Sequence, residues 1–360
     1  MQHHSPSGEE AESRVPGHPT PACWPKPWLL ADIGGTSARF GWLAEGSRQV
    51  GHVRTLVAAE FAGPGPAAQA YLVDLALALG SDFAAPRAAA FAVATAVSGD
   101  EVAFTNSGWT FSRAAVRAEL GLDGLLVLND FEALALSLPH LCARQLAAIG
   151  APANRLPACA AAEAAGASAA ALAVIGPGTG LGVAGMVPAF GAWLAIPGEG
   201  GHASLAAAND FEAALLAQVR TVFSHVSAER LLSGIGLPVL HGATAVLLAR
   251  PSPVLSPRDI VDGALGHHDP VCLRTLEVFC ALLGGFAGNV ALTLGARGGV
   301  FIGGGIVPRL GDFFMRSEFR ARFEAKGRFQ PYLQSIPTWL ITDTLAALTG
   351  AASALAAPRR

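Results

Sequence analysis

The chain has 360 residues, of which 52% are hydrophobic and only 14% charged, and its net charge is −3. That length supports two domains with a substantial core, while the even charge balance excludes a basic nucleic-acid or anionic-membrane binder. Lysine occurs only at Lys26 and Lys326, neither in a Gly-Lys-Ser/Thr setting, so a Walker-type phosphate loop is excluded too.

Residues 1–27, rich in Pro, Ser, Gly, His and Glu, read as a disordered extension without the apolar core of a secretory signal. Order is expected from Trp28. An apolar run, Leu29-Leu30-Ala31-Asp32-Ile33, meets the turn Gly34-Gly35-Thr36 and continues as a second strand through Phe40. A helical pattern over 67–79, a strand over 88–97, and a helix capped by Ser112 and ending near Leu120 follow. The buried-strand pattern Leu125-Leu126-Val127-Leu128 stops abruptly at Asn129-Asp130, and 131–138 reads as helix.

The Pro/Ala-rich stretch 151–168 reads as a loop or excursion between domains. The most membrane-like stretch, 158–175, carries Glu163 and is too weakly apolar to span a bilayer. Beyond it, Ala173-Val174-Ile175 leads into Gly176-Pro177-Gly178-Thr179-Gly180-Leu181-Gly182 and back into an apolar run. Helices are expected over 210–225 and 271–294, with no element assigned between 238 and 250. A strand at Gly299-Val300-Phe301-Ile302 opens a third glycine turn, Gly303-Gly304-Gly305. The last strand is expected over 336–341 and the last helix over 345–355.

Strands alternate with helices throughout, which gives an α/β class. The two strand–turn–strand units hint at a duplication, one per domain. Glycine lets backbone N–H groups approach an anion closely, and threonine adds a hydroxyl donor. Two such turns can grip a polyphosphate from both sides, so the pair predicts that the chain handles ATP. A rival reading of Gly180-Leu181-Gly182-Val183-Ala184-Gly185 is the dinucleotide fingerprint, with Glu199 downstream for a ribose. That mechanism needs a helix to begin inside the motif. Pro188 and Gly191 interrupt any such helix, and a returning strand fits better.

The cysteines (Cys23, Cys142, Cys159, Cys272, Cys280) are odd in number and include no Cys-x-x-Cys pair. They read as reduced side chains in a cytoplasmic protein, without zinc-ligand spacing.

Six ordered motifs together resemble the bacterial ATP-dependent glucokinases of the actin-like sugar kinase superfamily, the branch without the zinc-binding cysteines. They are Ala31–Thr36, Leu128–Phe131, Gly176–Gly182, Pro197-Gly198-Glu199-Gly200-Gly201-His202, His225–Gly234 and Phe301–Arg309. Ser37 stands where that family commonly has Asn, and Ile235 where it commonly has Pro. The second departure predicts a looser loop after Glu229.

The resemblance implies an actin-like ATPase fold of two α/β domains around a central cleft. The small domain would span 28–140 plus 338–360, and the large domain 141–337. It implies glucose and ATP as substrates, glucose 6-phosphate and ADP as products at the first step of glycolysis, Mg²⁺ as cofactor and a homodimer as assembly. Asp130 would be the general base, because phosphoryl transfer to a hydroxyl asks for a carboxylate within hydrogen-bond reach. Local sequence divides evenly between that role and a helix N-cap.

Asn129, Asp130, Glu199, His202 and Glu229 would hold the sugar, with Asn106 ranked lower. Locally, Glu199 also reads as a solvated turn residue, His202 as a buried structural histidine, Glu229 as part of a cap and surface ion pair, and Asn106 as an ordinary turn. Ala31, Asp32, Ile33, Gly34, Gly35 and Thr36 would face ATP from one side and Gly178, Thr179 and Gly180 from the other. Gly303, Gly304 and Gly305 would line the adenosine, or else serve helix–sheet packing. Asp32 would approach Mg²⁺ through water, or else close an Asx turn. Two rivals of other kinds are a non-catalytic sugar sensor or repressor on the same fold and a filament- or chaperone-like ATPase. The first lacks room for a helix-turn-helix ahead of Trp28, and the second leaves the sugar-type residues unexplained.

Overall fold

A computed structural model describes residues 23–104, 108–150 and 170–357. Residues 1–22 of the extension read as disordered over 1–27, the excursion over 151–168, Asn106 and Cys159 lie outside the described residues. Residues 23–27 correct that reading, the Trp24 ring lying against Gly124 and Trp28 Nε1 donating to the Pro25 carbonyl at 3.0 Å.

Two sheets carry the fold. The first contains β1 (Trp28–Ile33), β2 (Ser37–Leu43), β3 (Gly51–Val57), β4 (Ala88–Val93) and β7 (Gly124–Asn129), in the order β3-β2-β1-β4-β7. A small ribbon of β5 (Glu101–Ala103) and β6 (Thr110–Ser112) lies outside it. The second sheet contains β8 (Leu146–Ala148), β9 (Leu172–Pro177), β10 (Leu181–Ala189), β11 (Ala192–Gly198), β12 (Gly299–Ile302) and β13 (Thr338–Ile341). Its order is β11-β10-β9-β12-β13-β8.

The first five strands of that order repeat the first sheet's plan. In each sheet, three strands meander antiparallel from one edge, and the first strand of the meander then pairs parallel with a later one. The duplication suggested by the two glycine turns is therefore present in the topology.

The central strands are apolar on both faces because both faces are covered. Leu29, Ala31 and Ile33 share a core with Tyr71 of α1 (Pro64–Leu79), whose ring stacks on Phe40 at 5.5 Å. Trp28 and Leu30 meet Leu348 and Leu355 of the last helix instead. A short helix α2 (Arg113–Glu119) begins where expected, with the Ser112 hydroxyl accepting from the Ala115 N–H at 3.1 Å. The helix after β7 is α3 (Asp130–Ser137).

In the second half, α4 (Asp210–Arg220) stops five residues short of the expected end. The helix α5 (Leu237–Leu247) was not expected. Pro238 reads as a breaker, yet proline in a first helical turn costs nothing because its missing N–H has no partner there anyway. Then come α6 (Pro257–Leu265) and α7 (Pro270–Leu294). This last is the one described helix long and apolar enough to cross a membrane, and most of it is buried in the protein core.

The boundary placed at 338 needs correction. Thr338–Ile341 pairs with β12 and β8, inside the second sheet. Its fully buried strand, Thr338-Trp339-Leu340-Ile341, belongs to that sheet, and only α8 (Ala346–Ala356) returns to the first sheet, against α3. The two helices approach so closely that a Cβ on Gly350 would stand 1.6 Å from the Ala133 carbonyl oxygen.

Candidate active site

The first turn joins β1 to β2. Gly34 closes it by donating its N–H to the Ser37 carbonyl at 2.9 Å, so the turn uses the backbone of Ser37 and does not need its hydroxyl. Thr36 stands exposed at the tip, and the Gly34 backbone has open space, its nearest prospective Cβ contact being 3.7 Å away. Asp32 and Arg39 face each other across the hairpin, with Arg39 Nη1 3.5 Å from Asp32 Oδ2. The same guanidinium donates to the Thr344 carbonyl at 2.5 Å, tying the hairpin to the chain ahead of α8. Burial raises the Asp32 pKa and Arg39 opposes the rise.

Asn129 and Asp130 lie level with this turn. In the parallel pairing, Ile33, Val93 and Asn129 form one row at the carboxyl ends of β1, β4 and β7, where ligands of open α/β sheets sit. The N-cap of α3 is Asn129, correcting the local capping reading of Asp130. Its Oδ1 accepts from Phe131 at 2.9 Å and Glu132 at 3.4 Å, and its Nδ2 donates to the Thr95 carbonyl at 3.2 Å. The Asn129 amide keeps one N–H for a ligand. Asp130 Oδ1 accepts from the Phe131 N–H at 2.9 Å, and the carboxyl also accepts from its own backbone N–H. Burial, then the charge of Asp32, and more weakly that of Glu199, push the Asp130 carboxyl up to about 7.

The second turn joins β9 to β10 and is crowded where the first is open. Gly178 donates to the Gly180 carbonyl at 2.9 Å, and Thr179 is exposed at the tip. One loop is stitched to it by two hydrogen bonds. Gly234 donates to the Gly178 carbonyl at 2.8 Å and Ile235 to the Thr179 carbonyl at 3.3 Å. The Ile235 bond is one that proline has no N–H to make, so the expected loosening after Glu229 is offset. A Cβ on Gly201 would lie 2.0 Å from the Leu181 carbonyl oxygen, which leaves that position to glycine alone.

Glu229 reaches the same turn. Its Oε2 accepts from the Leu181 N–H at 2.8 Å, and its Oε1 lies 3.8 Å from His202 Nε2. His202 is also 3.9 Å from Glu199 Oε2. The expected sugar set therefore comes together as three groups of one loop cluster, beside the Asn129–Asp130 pair. His202 is exposed rather than a buried structural residue, and Glu199 is exposed as well. The cap half of the local reading holds, the Ser227 hydroxyl accepting from the Arg230 N–H at 3.2 Å, but no long helix follows, and the Arg230 guanidinium lies 4.3 Å over the Phe223 ring.

Gly303, Gly304 and Gly305 follow β12 into a short helix at Val307–Leu310. Gly304 has φ +79 and would place a Cβ 2.4 Å from the Pro177 carbonyl oxygen, which accepts from the Ile306 N–H at 3.2 Å. Gly305 faces open space. The third turn thus leans on the second through Gly304 and is open at Gly305.

Three residues around the site have no role assigned by the sequence, although Phe131 closes the Leu128–Phe131 motif and Ser233 lies within His225–Gly234. Arg39 becomes visible only once the hairpin register sets it opposite Asp32. Ser233 donates to the Glu229 carbonyl at 2.7 Å and accepts from Gly236 at 3.0 Å, fixing the loop that presents Glu229. Phe131 lies against the backbones of Gly176 and Gly182.

A family model described as Glucokinase matches residues 29–358. The glucokinase of Paramagnetospirillum magneticum is 46% identical over 334 residues, which are 92% of this chain and 98% of that protein. The crystal structure of a glucokinase from an Antarctic psychrotroph has a TM-score of 0.79 at 35% identity, over 91% of this chain and 98% of that one. A ROK family glucokinase from Streptomyces griseus, in complex with glucose and AMPPNP, shares the fold with a TM-score of 0.56 at 17% identity, over 91% and 99% of the two chains. The duplicated halves are those of the actin-like sugar kinases, and the chain belongs to the glucokinase family.

Proposed function

We propose that the chain transfers the γ-phosphoryl group of ATP to the 6-hydroxyl of glucose, giving glucose 6-phosphate and ADP, with Asp130 as general base. One observation carries the assignment of the base. Asp130 is the carboxylate between the two turns, and burial with two acidic neighbours raises it to about 7, matched to taking a proton near neutral pH. The 6-oxygen bonds to the γ-phosphorus as the bond from that phosphorus to the β,γ-bridging oxygen breaks, and the hydroxyl proton passes to Asp130. Asn129, Glu199, His202 and Glu229 hold the remaining hydroxyls in forked donor and acceptor pairs, and Asn106 belongs to the same reading. With the Gly34 and Gly178 N–H groups closing their own turns, the backbone N–H groups of 35–36 and 179–180 and the hydroxyls of Thr36 and Thr179 face the phosphates, with Gly303–Gly305 beside the adenosine.

The donor set suits Mg²⁺, which binds through one or two carboxylates plus phosphates and keeps several waters. Asp32 is such a carboxylate, its charge raised in energy by burial and only partly balanced by Arg39. When bound there, the ion supplies charge neutralisation at the β- and γ-phosphates. Cys23, Cys142, Cys272 and Cys280 are free thiols, in keeping with a cytoplasmic protein. The homodimer is part of the same reading and is tested by sedimentation.

A coupled assay with ATP and Mg²⁺ across a hexose panel tests the activity, with glucose expected to turn over far faster than fructose. If no hexose is phosphorylated, the kinase reading falls and a sugar sensor on this fold takes its place.

A further inference from the structure

We infer that Phe131 is a positioning residue, whose ring, seated on a cross-strand pair of glycines beside the second turn, fixes the Asp130 carboxylate relative to that turn. The inference rests on Asp130 being the base.

Gly176 and Gly182 are directly opposed in the β9–β10 ladder and flank the turn symmetrically, two residues before Gly178 and two after Gly180. A Cβ on Gly182 would stand 1.9 Å from Phe131 Cδ2 and 2.2 Å from Cε2. On Gly176 it would stand 2.4 Å from Phe131 Cζ and 2.7 Å from Cε1. The ring therefore covers both backbones at once, and each glycine is required by the ring rather than by its own φ. An aromatic side chain laid over bare strand glycines supplies the packing they lack.

The same residue grips the base. Its N–H donates to Asp130 Oδ1 and to the capping Asn129 Oδ1, both at 2.9 Å. Asp130 is bonded covalently to a residue whose ring is held by the second sheet, while its own strand, β7, belongs to the first. Phe131 is thus the point at which the Asp130 carboxylate and the phosphate turn are set at a fixed spacing. A displacement of about 1 Å at a reacting group costs about 10²-fold in rate, so loosening this ring is expected to appear in turnover more than in sugar affinity.

The test compares Phe131→Ala, Phe131→Leu, Gly182→Ala and the double variant Phe131→Ala/Gly182→Ala, each checked for folding by circular dichroism. Phe131→Ala is expected to lower kcat about 10²-fold and Phe131→Leu about tenfold, with the glucose Kd from calorimetry nearly unchanged. Gly182→Ala alone is expected to abolish turnover. Placed on Phe131→Ala, it should cost little further, because its methyl enters the space the ring has left.

A Phe131→Ala enzyme with normal kcat and only a lower melting temperature would reduce the residue to packing. So would a Gly182→Ala effect of equal size in both backgrounds. Where Phe131→Ala does not fold, Phe131→Leu decides: a lowered kcat with unchanged glucose Kd supports the inference, and an unchanged kcat overturns it. Asp130→Asn, assayed alongside, separates the two readings. If it retains turnover, the base assignment fails and this inference with it. If it is inactive while the Phe131 variants are not, the positioning role alone fails.

Discussion

The two glycine turns occupy equivalent places in a duplicated plan, yet they are held by different forces. The first is open: nothing crowds Gly34, and its surroundings are organised by the Asp32–Arg39 pair and two backbone bonds, Gly34 to the Ser37 carbonyl and Ala58 to the Thr36 carbonyl. The second is closed in by contact, with prospective Cβ atoms on Gly176, Gly180 and Gly182 within 2.4 Å of Phe131 or Glu229. Close contact makes the second turn rigid and intolerant of substitution, because overpacked backbone has nowhere to move. Charge makes the first turn tolerant of shape and sensitive to protonation. Asp130 lies under both influences, its ring-bearing neighbour anchored to the second turn and its pKa raised by the acid of the first.

The largest expected effect is at that shared residue. Asp130→Asn keeps the size of the side chain but cannot take a proton, and kcat is expected to fall by about 10²–10⁴-fold. In the unaltered enzyme, kcat/KM should fall tenfold per unit as pH drops below about 7.

Stability should move the other way. The folded carboxyl, at about 7, holds its proton more tightly than the unfolded one at 3.8. The protonated form therefore stabilises the fold at low pH, and that contribution is lost as pH rises through 7. Asp130→Asn removes the cost of the buried charge, so its melting temperature should exceed that of the parent at pH 8. The gain corresponds to at most about 4 kcal/mol and should vanish by about pH 4. Equal melting temperatures at pH 8 would show that the charge is not strained.

A smaller pair of substitutions puts the contrast itself to the test. Gly201→Ala forces a methyl into the Leu181 carbonyl and is expected to destabilise by about 2–3 kcal/mol, whereas Gly34→Ala should cost less than about 1 kcal/mol. Denaturant melts of the two variants give the comparison, and similar losses would mean that both turns are held by packing.

Much of this was legible in the sequence, because the motifs are local. A strand ending in Asn-Asp, or a glycine run between apolar runs, fixes its own conformation, whereas the roles expected for Asp130, Glu199, His202 and Glu229 come from the family resemblance, local sequence leaving each of them open. Where sequence reading stopped short, the cause was long-range. Thr338–Ile341 reads as a strand, but its sheet is decided by β8 and β12, almost two hundred and about forty residues away. The capping role passed from Asp130 to Asn129 because it depends on where the first helical φ/ψ falls, a one-residue matter that patterns do not resolve. Arg39 and Phe131 act across register and across sheets, and the motif that ends at Phe131 does not show what its ring meets.

The smallest expected effects distinguish the turns as ligand sites. Thr36→Val keeps the outline of the first turn and removes one hydroxyl donor. Thr179→Val does the same at the second, where the Gly234 and Ile235 N–H groups already hold the backbone from behind. Both threonines are exposed at their tips, so neither change should disturb folding. A hydrogen bond to a charged group contributes about 1.5–3 kcal/mol, so each variant is expected to weaken ATP by about tenfold or more while leaving glucose affinity unchanged. The open turn should also be the more adaptable one. With no close contact at Gly34 and a single loop bond, from Ala58 to the Thr36 carbonyl, its Gly35 and Thr36 N–H groups can shift toward the phosphates and recover part of the loss, so Thr36→Val should weaken ATP less than Thr179→Val. Calorimetric titration of ATP into both proteins decides it, and the reverse order would show that the crowded turn, not the open one, is the one that adjusts to the nucleotide.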